Sequence, residues 1–445
     1  MKCPAADEVP SVDEVIEMQP TRDTGSRAYP WYVLAVLGLV SIANYYDRNL
    51  ISILVEPIKR DLHLSDAQLG LLSGFAFALA YSVFGIPVAR LADRYGRAKI
   101  LSASLALWSL MTILTARSTG FLTMALARSG VAIGEAGGLP ATHALVADYF
   151  EPKRRGRALS VIGVCGGLGL SLALAAGGVI SDWRGWRVAF ALSGLPGLLI
   201  AVLLVTTVRE PQRTLPQGGA GPAPASLGLR EVIRTLRGRR SYVHLCIGLG
   251  IAAIGAYGQF SWTPAFLMRT YHMSAGQVGG YYSAVVGPAT LISIFLGGAI
   301  NDWLVRRDKR APFWILATCF GVSVPATLAF LLIHNFAFAM AMSLVTTVIG
   351  GLWVAPSYAL VQSLAGPSLR AIAAAIFMML VNVVGLGLGP WLTGALSDRL
   401  AGKFGTESLT VSLCLVTLTC AVGVVNFLLA TRTVAADIAE AEGTA

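Results

Sequence analysis

Charge is what this sequence has least of. Asp, Glu, Lys and Arg make up 13% of its residues, against about 25% in an average soluble domain, so most of its surface cannot be an ordinary aqueous one. Histidine is also scarce. The six cysteines form no Cys-x-x-Cys pair and no Cys/His cluster, which excludes the common zinc frameworks and offers no disulfide pattern. Cys165, Cys246, Cys319, Cys414 and Cys420 fall inside apolar stretches, and Cys3 precedes the first of them. No Gly-x-x-x-x-Gly-Lys-Ser/Thr loop occurs, so ATP is not the expected energy source. No nucleophile or metal constellation points to an enzyme, and neither cofactor nor metal is expected. The first 28 residues hold six acids and three bases without an apolar core, so they do not read as a signal peptide. A disordered cytoplasmic tail is the expectation for 1–28.

What the chain does have is apolar length. Hydrophobic residues make up 55% of it, and a membrane helix needs about 20 mostly apolar residues in a row. Twelve such stretches can be counted, which predicts an all-α integral membrane protein with twelve transmembrane helices. Most of the 34 Lys and Arg fall in alternate loops, as positive charge retained in the cytoplasm requires. Both termini are then cytoplasmic, in the cell (inner) membrane. The net charge of +10 reads as topology and inner-leaflet lipid contact rather than nucleic-acid binding.

The longest interruption, 209–241, separates two predicted six-helix bundles, 29–208 and 242–432, and a second cytoplasmic tail follows at 433–445. Within the interruption, Gln212 to Ser226 is rich in Pro and Gly and reads as flexible. Leu229, Val232, Ile233 and Leu236 then repeat at helical spacing, with Arg230, Arg234 and Arg237 turned away from them. This predicts an amphipathic helix on the membrane surface, a solvated linker being the alternative. A small residue four positions before an Asp recurs at Ala89 and Asp93, Gly178 and Asp182, Gly298 and Asp302, and Gly394 and Asp398. The interval is three spans each time, an odd number, so successive copies are inverted in the membrane. Nested inverted three-helix repeats within each bundle are the implied architecture.

Four ionisable residues lie deepest in the predicted spans: Asp47, Arg48, Arg128 and Glu135. An unpaired charge there costs about 2.5–3.5 kcal/mol, so all four are expected to face protein. Arg128 and Glu135 are two turns apart on one helix face, about 10 Å along its axis. Asp47 is close enough in depth to pair with Arg128, and it is expected nearer the outer surface and better hydrated than Glu135. Two readings stay open. Either the four merely neutralise one another or Arg48 reaches outward, or Asp47 and Glu135 couple protons while Arg48 and Arg128 serve as charge partners and hold an anionic head group. His143 lies two turns beyond Glu135 and is either a packing residue or a proton relay. Tyr45, Tyr46, Tyr257, Gln259, Trp262, Trp353, Tyr358, Gln362 and Asn382 are candidates for a substrate cavity, with packing as the alternative for each.

The run Ala89-Arg90-Leu91-Ala92-Asp93-Arg94-Tyr95-Gly96-Arg97-Ala98-Lys99 resembles the signature loop of the major facilitator superfamily, with Ala89 in place of its first Gly. A degenerate copy follows at Gly298 to Trp303 with Arg306 and Arg307. Asn44 to Arg48 and Arg128 to Ala136 resemble the spinster-like branch, as do Arg370-Ala371 and Gly385 to Asp398. Ser129 and Ala132 depart from two of that branch's glycines. The fifth span has only a glycine-rich run, Gly163 to Gly169, where many antiporters carry Gly-Pro. The resemblance implies the major facilitator fold, working as a monomer by alternating access. It makes Asp93, with Arg94 and Arg97, a conformational latch that docks at the eleventh helix in the outward-facing state. It also implies an amphiphilic, anionic substrate of lysolipid or sphingoid type, and the deep carboxyls add coupled protons to that reading. A carrier of small organic anions or drugs is the alternative, and a receptor that does not transport is the alternative of another class.

Overall fold

The computed structural model describes residues 28–211, 229–367 and 369–443. All but the last residue of the predicted N-terminal tail, with Cys3, and the segment Gln212 to Ser226 lie outside the described residues. Among those described, all regular structure is helical. The first half contains α1 (Tyr29–Leu62), α2 (Asp66–Tyr95), α3 (Arg97–Thr115), α4 (Phe121–Glu135), α5 (Gly138–Tyr149), α6 (Pro152–Arg184) and α7 (Trp186–Thr207). A short α8 (Leu229–Gly238) leads to α9 (Arg240–Tyr271), α10 (Ala275–Val305), α11 (Ala311–Leu332), α12 (Phe336–Gly351), α13 (Val354–Ala365), α14 (Arg370–Leu380), α15 (Gly389–Phe404), α16 (Ser408–Thr417), α17 (Thr419–Ala430) and α18 (Val434–Gly443). Nine helical stretches among the described residues are long and apolar enough to cross a membrane. Exposed Leu122, Leu126, Leu199, Val202, Phe295 and Val425 make an apolar outer surface that suits lipid rather than water.

Three apolar clusters organise the interior. One lies within the first half around Leu37, Phe77, Leu101, Trp108, Val131 and Leu204. A second lies within the other half around Leu249, Phe313, Phe320, Leu360, Phe377 and Phe427. The third joins the halves, packing Leu50, Leu54, Leu69 and Phe190 against Trp262, Phe266, Phe330 and Leu413. The joining cluster gathers the far ends of α1 and α9, away from the two termini. We call that end the distal face and the opposite end the terminal face. Apolar contact thus binds the bundles at the distal face, while towards the terminal face each keeps its own core.

Helix interruptions place the polar residues. α4 stops at Glu135, and α5 resumes at Gly138. Close packing forces small residues here, because a Cβ on Gly134 would lie 2.7 Å from the Trp108 Cβ. π-helical turns occur at Leu71–Phe75 in α2 and at Val381–Leu388 between α14 and α15. They meet each other, with Gly74 against the Leu386 carbonyl.

Two stretches expected as a surface helix and a tail pack on the second half. In α8, Val232 and Leu236 are buried in that half's cluster with Tyr242 and Leu364, while Ile233 is 40% exposed. The C-terminal segment is likewise more than a loose tail. In α18, Val434 and Ile438 join the same cluster, and the Asp437 carboxylate accepts the Ser241 N–H at 2.7 Å.

Candidate functional site

α1 turns its successive residues Asp47 and Arg48 in different directions. Asp47, 1% exposed, faces the interior of the first bundle towards Thr112 of α3, Arg128 of α4 and Ser193 of α7. Those two hydroxyls are committed to their own helices, at the Trp108 and Phe190 carbonyls. The Asp47 carboxylate oxygens make no close hydrogen bond. Burial of Asp47 is thus as complete as that of Glu135, contrary to the better hydration expected from its depth, because three neighbouring helices close over it. Arg128, also 1% exposed, donates to the Asp47 backbone carbonyl at 3.3 Å and lies between the two acids.

Arg48 forms the ion pair of the group. Its Nε donates to Glu135 Oε2 at 3.0 Å, and its side chain is 28% exposed while that of Glu135 is 0% exposed. The Arg48 guanidinium carbon sits 4.8 Å from the Phe77 ring centre and 5.0 Å from that of Tyr81, within cation–π range. Phe77 and Tyr81, one turn apart on α2, stack on each other, and Phe77 also meets Arg128 at 5.6 Å. From the second bundle, Tyr257 comes into the electrostatic neighbourhood of Arg48, Tyr45 and Tyr358. The arrangement is one partly accessible cation in an aromatic frame, backed by an enclosed carboxylate.

A family model for the Major Facilitator Superfamily matches residues 37–390. The chain belongs to this superfamily. An MFS-type efflux pump of Mycolicibacterium smegmatis is 37% identical over 413 residues, covering 92% of this chain and 94% of that protein. The mouse protein spinster homolog 1 is 26% identical over 410 residues, covering 85% of this chain and 75% of its own. A solved bacterial homologue of the human lysosomal transporter spinster, in an inward-facing and unoccupied conformation, superposes with a TM-score of 0.82 at 28% identity, covering 93% of this chain and 99% of that one. The same homologue in an inward-facing and occupied conformation gives 0.80. The chain is therefore a membrane transporter with spinster-named homologues, and not an enzyme.

Not every residue singled out for this facilitator's site stands near Arg48. Trp262 is enclosed, its indole N–H donating to the Pro390 carbonyl at 2.9 Å. Gln259 is bound to the Leu413 carbonyl and to Thr417. Tyr46 packs against the distal cluster and Trp353 against the second bundle's core. Gln362 and His143 are exposed, and Asn382 sits half-buried in a π-helical turn. Tyr45 and Tyr257 remain in the electrostatic neighbourhood of Arg48, and Tyr358 in that of Tyr45 and Tyr81. In the signature loop, Arg97 meets Asp148 at 2.6 Å and Asp93 at 3.6 Å, while Glu210 caps the start of α3 through the N–H groups of Arg97 and Ala98. Arg94 lies over its neighbour Tyr95. Asp93 itself is 64% exposed.

Sequence reasoning missed Phe77 and Tyr81 and the whole distal closure of the facilitator. There, Arg269 of α9 reaches Glu56 and Asp66 of the first bundle, and Lys59 also contacts Asp66. Asp398 of α15 accepts the Asp66 and Ala67 N–H groups at 3.0 and 2.8 Å. Asp182 of α6 accepts the Ser274 hydroxyl and the Gly276 N–H at 2.5 and 2.8 Å. A signal was present: His63-Leu64-Ser65-Asp66-Ala67-Gln68-Leu69-Gly70 is repeated as His272-Met273-Ser274-Ala275-Gly276-Gln277-Val278-Gly279. In both copies the His takes a left-handed conformation that ends one helix, and Ser and Gln form the capping box of the next.

Proposed function

We propose that this transporter exchanges protons for an amphiphilic anion at Arg48, by alternating access. The observation that carries the reading is the Arg48–Glu135 ion pair, whose cation is partly accessible and whose acid is enclosed. An anionic head group that takes Arg48 displaces Glu135, and a carboxylate left in an enclosed wall without its nearest cation is costly unless protonated. Substrate and proton thereby compete for the same guanidinium. The aromatic frame of Tyr45, Tyr81, Tyr257 and Tyr358 suits an apolar body of lysolipid or sphingoid type. Arg128 is too enclosed in this conformation to be a second head-group donor, and its place is to hold the two acids apart.

The reading includes twelve membrane crossings in two inverted-repeat bundles, a monomer, and both termini in the cytoplasm of the inner membrane. The terminal face is then cytoplasmic and the conformation inward-facing, in keeping with the likeness to inward-facing spinster homologues. The name of the 37% identical relative favours a second reading, export of drug-like organic anions, by the same Arg48 competition. Proteoliposome flux tests both. Substrate-driven proton movement with lysolipids supports the first reading, and movement with organic anions or drugs alone supports the second. Binding that never exceeds one equivalent per protein leaves a receptor.

A further inference from the structure

Arg48 has two kinds of partner in the first bundle. Glu135 accepts its Nε–H at 3.0 Å, and the rings of Phe77 and Tyr81 are centred 4.8 and 5.0 Å from its guanidinium carbon. The first contact joins two full charges and ends when Glu135 takes up a proton or an anion displaces it. The second is the attraction of a cation to the negative face of an aromatic ring, and it persists whether or not Glu135 is charged.

The rings are fixed in place. Phe77 is 2% exposed and belongs to the apolar cluster of the first bundle, with Tyr81 packed against that cluster. One turn apart on α2, the two stack with ring centres 5.9 Å apart and planes 19° from parallel. α2 also meets the second bundle here, where a Cβ on Gly387 would lie 3.4 Å from Phe75 Cδ2 and 3.6 Å from Ala78 Cβ. The helix that carries the rings is thereby held by both bundles, next to its π-helical turn at Leu71–Phe75. Phe77 is further centred 5.6 Å from the guanidinium carbon of the enclosed Arg128. One ring thus attracts both cations and sets the place of Arg48 relative to Arg128. An aliphatic side chain would fill the same space without attracting either.

We propose that Phe77 and Tyr81 are positioning residues that keep the Arg48 guanidinium in place when Glu135 releases it, so that the anion meets a cation already ordered. This rests on the reading of Arg48 as the anion site. An Arg side chain freed from its ion pair regains rotamer freedom, and ordering it again would subtract from affinity. The rings hold the side chain through that step. The bound anion also shields Arg48 from water, the setting in which a cation–π contact is strongest. The rings therefore stabilise the liganded state more than the free one.

The test replaces Phe77 of the full chain with phenylalanines carrying one, two and three ring fluorines and measures binding of oleoyl lysophosphatidate to the purified protein. Fluorine draws negative charge from the ring face while nearly keeping the ring's shape, so a ring that only packs would give a flat series. Affinity is expected to fall stepwise, about fivefold by the third fluorine, while cooperative melting shows that each protein is folded. Tyr81→Leu lowers affinity by a similar factor, and Tyr81→Phe, which keeps the ring, restores it. The stepwise fall is also expected in Glu135→Gln, where the rings are the remaining hold on Arg48. A flat fluorine series, or a fall that disappears in Glu135→Gln, overturns the proposal. Arg48→Ala separates it from the reading beneath it: undiminished lysophosphatidate binding in that variant overturns both, whereas lost binding there together with a flat series overturns the role of the rings alone.

Discussion

Arg269 of the second bundle holds Asp66 of the first through two parallel hydrogen bonds of 2.8 Å, while its Nε donates to Glu56 at 2.6 Å. Lys cannot reproduce this fork. Arg269→Ala leaves Glu56 without its Arg and Asp66 with Lys59 and the Ser397 hydroxyl, and removing one member of such a pair costs roughly 3–5 kcal/mol when burial is complete, less here where Arg269 is partly exposed. We expect the distal face to open. Spin-label distances across that face will lengthen in Arg269→Ala and, to a smaller degree, in Arg269→Lys; distributions matching wild type refute this role.

Glu135→Gln imitates the protonated acid. The change in distance between bundles with pH, followed over roughly pH 4 to 8, is expected to vanish or move, while exchange that needs no net proton transfer survives. Asp47→Asn will have the smaller effect, because Asp47 faces the bundle interior behind Arg128 and not the opening. A double variant with the wild-type response excludes both acids and makes His143 the next residue to change.

Arg48 and Arg128 will separate in a comparison of binding with stability. Arg48→Lys keeps the charge but loses the planar donor that can pair with a phosphate or carboxylate in two bonds, so lysolipid affinity should fall about tenfold. Arg128→Lys acts inside the bundle and will mainly lower the melting temperature of the unliganded protein. Equal losses of affinity without a change in melting would place Arg128 in the binding surface instead.

Ending the chain after Thr433 removes the buried Val434 and Ile438 side chains, each worth about 1.5–3 kcal/mol when fully enclosed. It also removes the Asp437 bond to Ser241. A lower melting temperature is the expected result, with Val434→Ser plus Ile438→Ser reproducing most of it. A truncated protein as stable as the full chain would show that α18 is dispensable to the second bundle.

Much of the architecture was legible before any coordinates. Apolar runs long enough for a bilayer, a signature loop at Asp93 to Lys99 and four deep charges all follow from local composition, and the charges do converge in one place. Their pairing did not follow. Depth along two helices brought Asp47 and Arg128 level, but rotation about each helix axis decided that Arg48, the next residue, meets Glu135. The cavity residues divide the same way: Tyr257 and Trp262 lie on one helix, yet one stands beside Arg48 and the other is sealed against Pro390.

The amino-acid sequence by itself determined that the chain lives in lipid, that its charges must be gathered inside, and that a small residue four positions before an Asp recurs four times. Each of these depends on transfer cost and helical period, which are properties of a segment alone. The tertiary structure alone decided that Asp182 and Asp398 cap helices of the other bundle, because capping needs the start of such a helix within hydrogen-bond reach. One chain offers four such pairs, and among the described residues Asp182 and Asp398 find helix starts of the other bundle at the distal face.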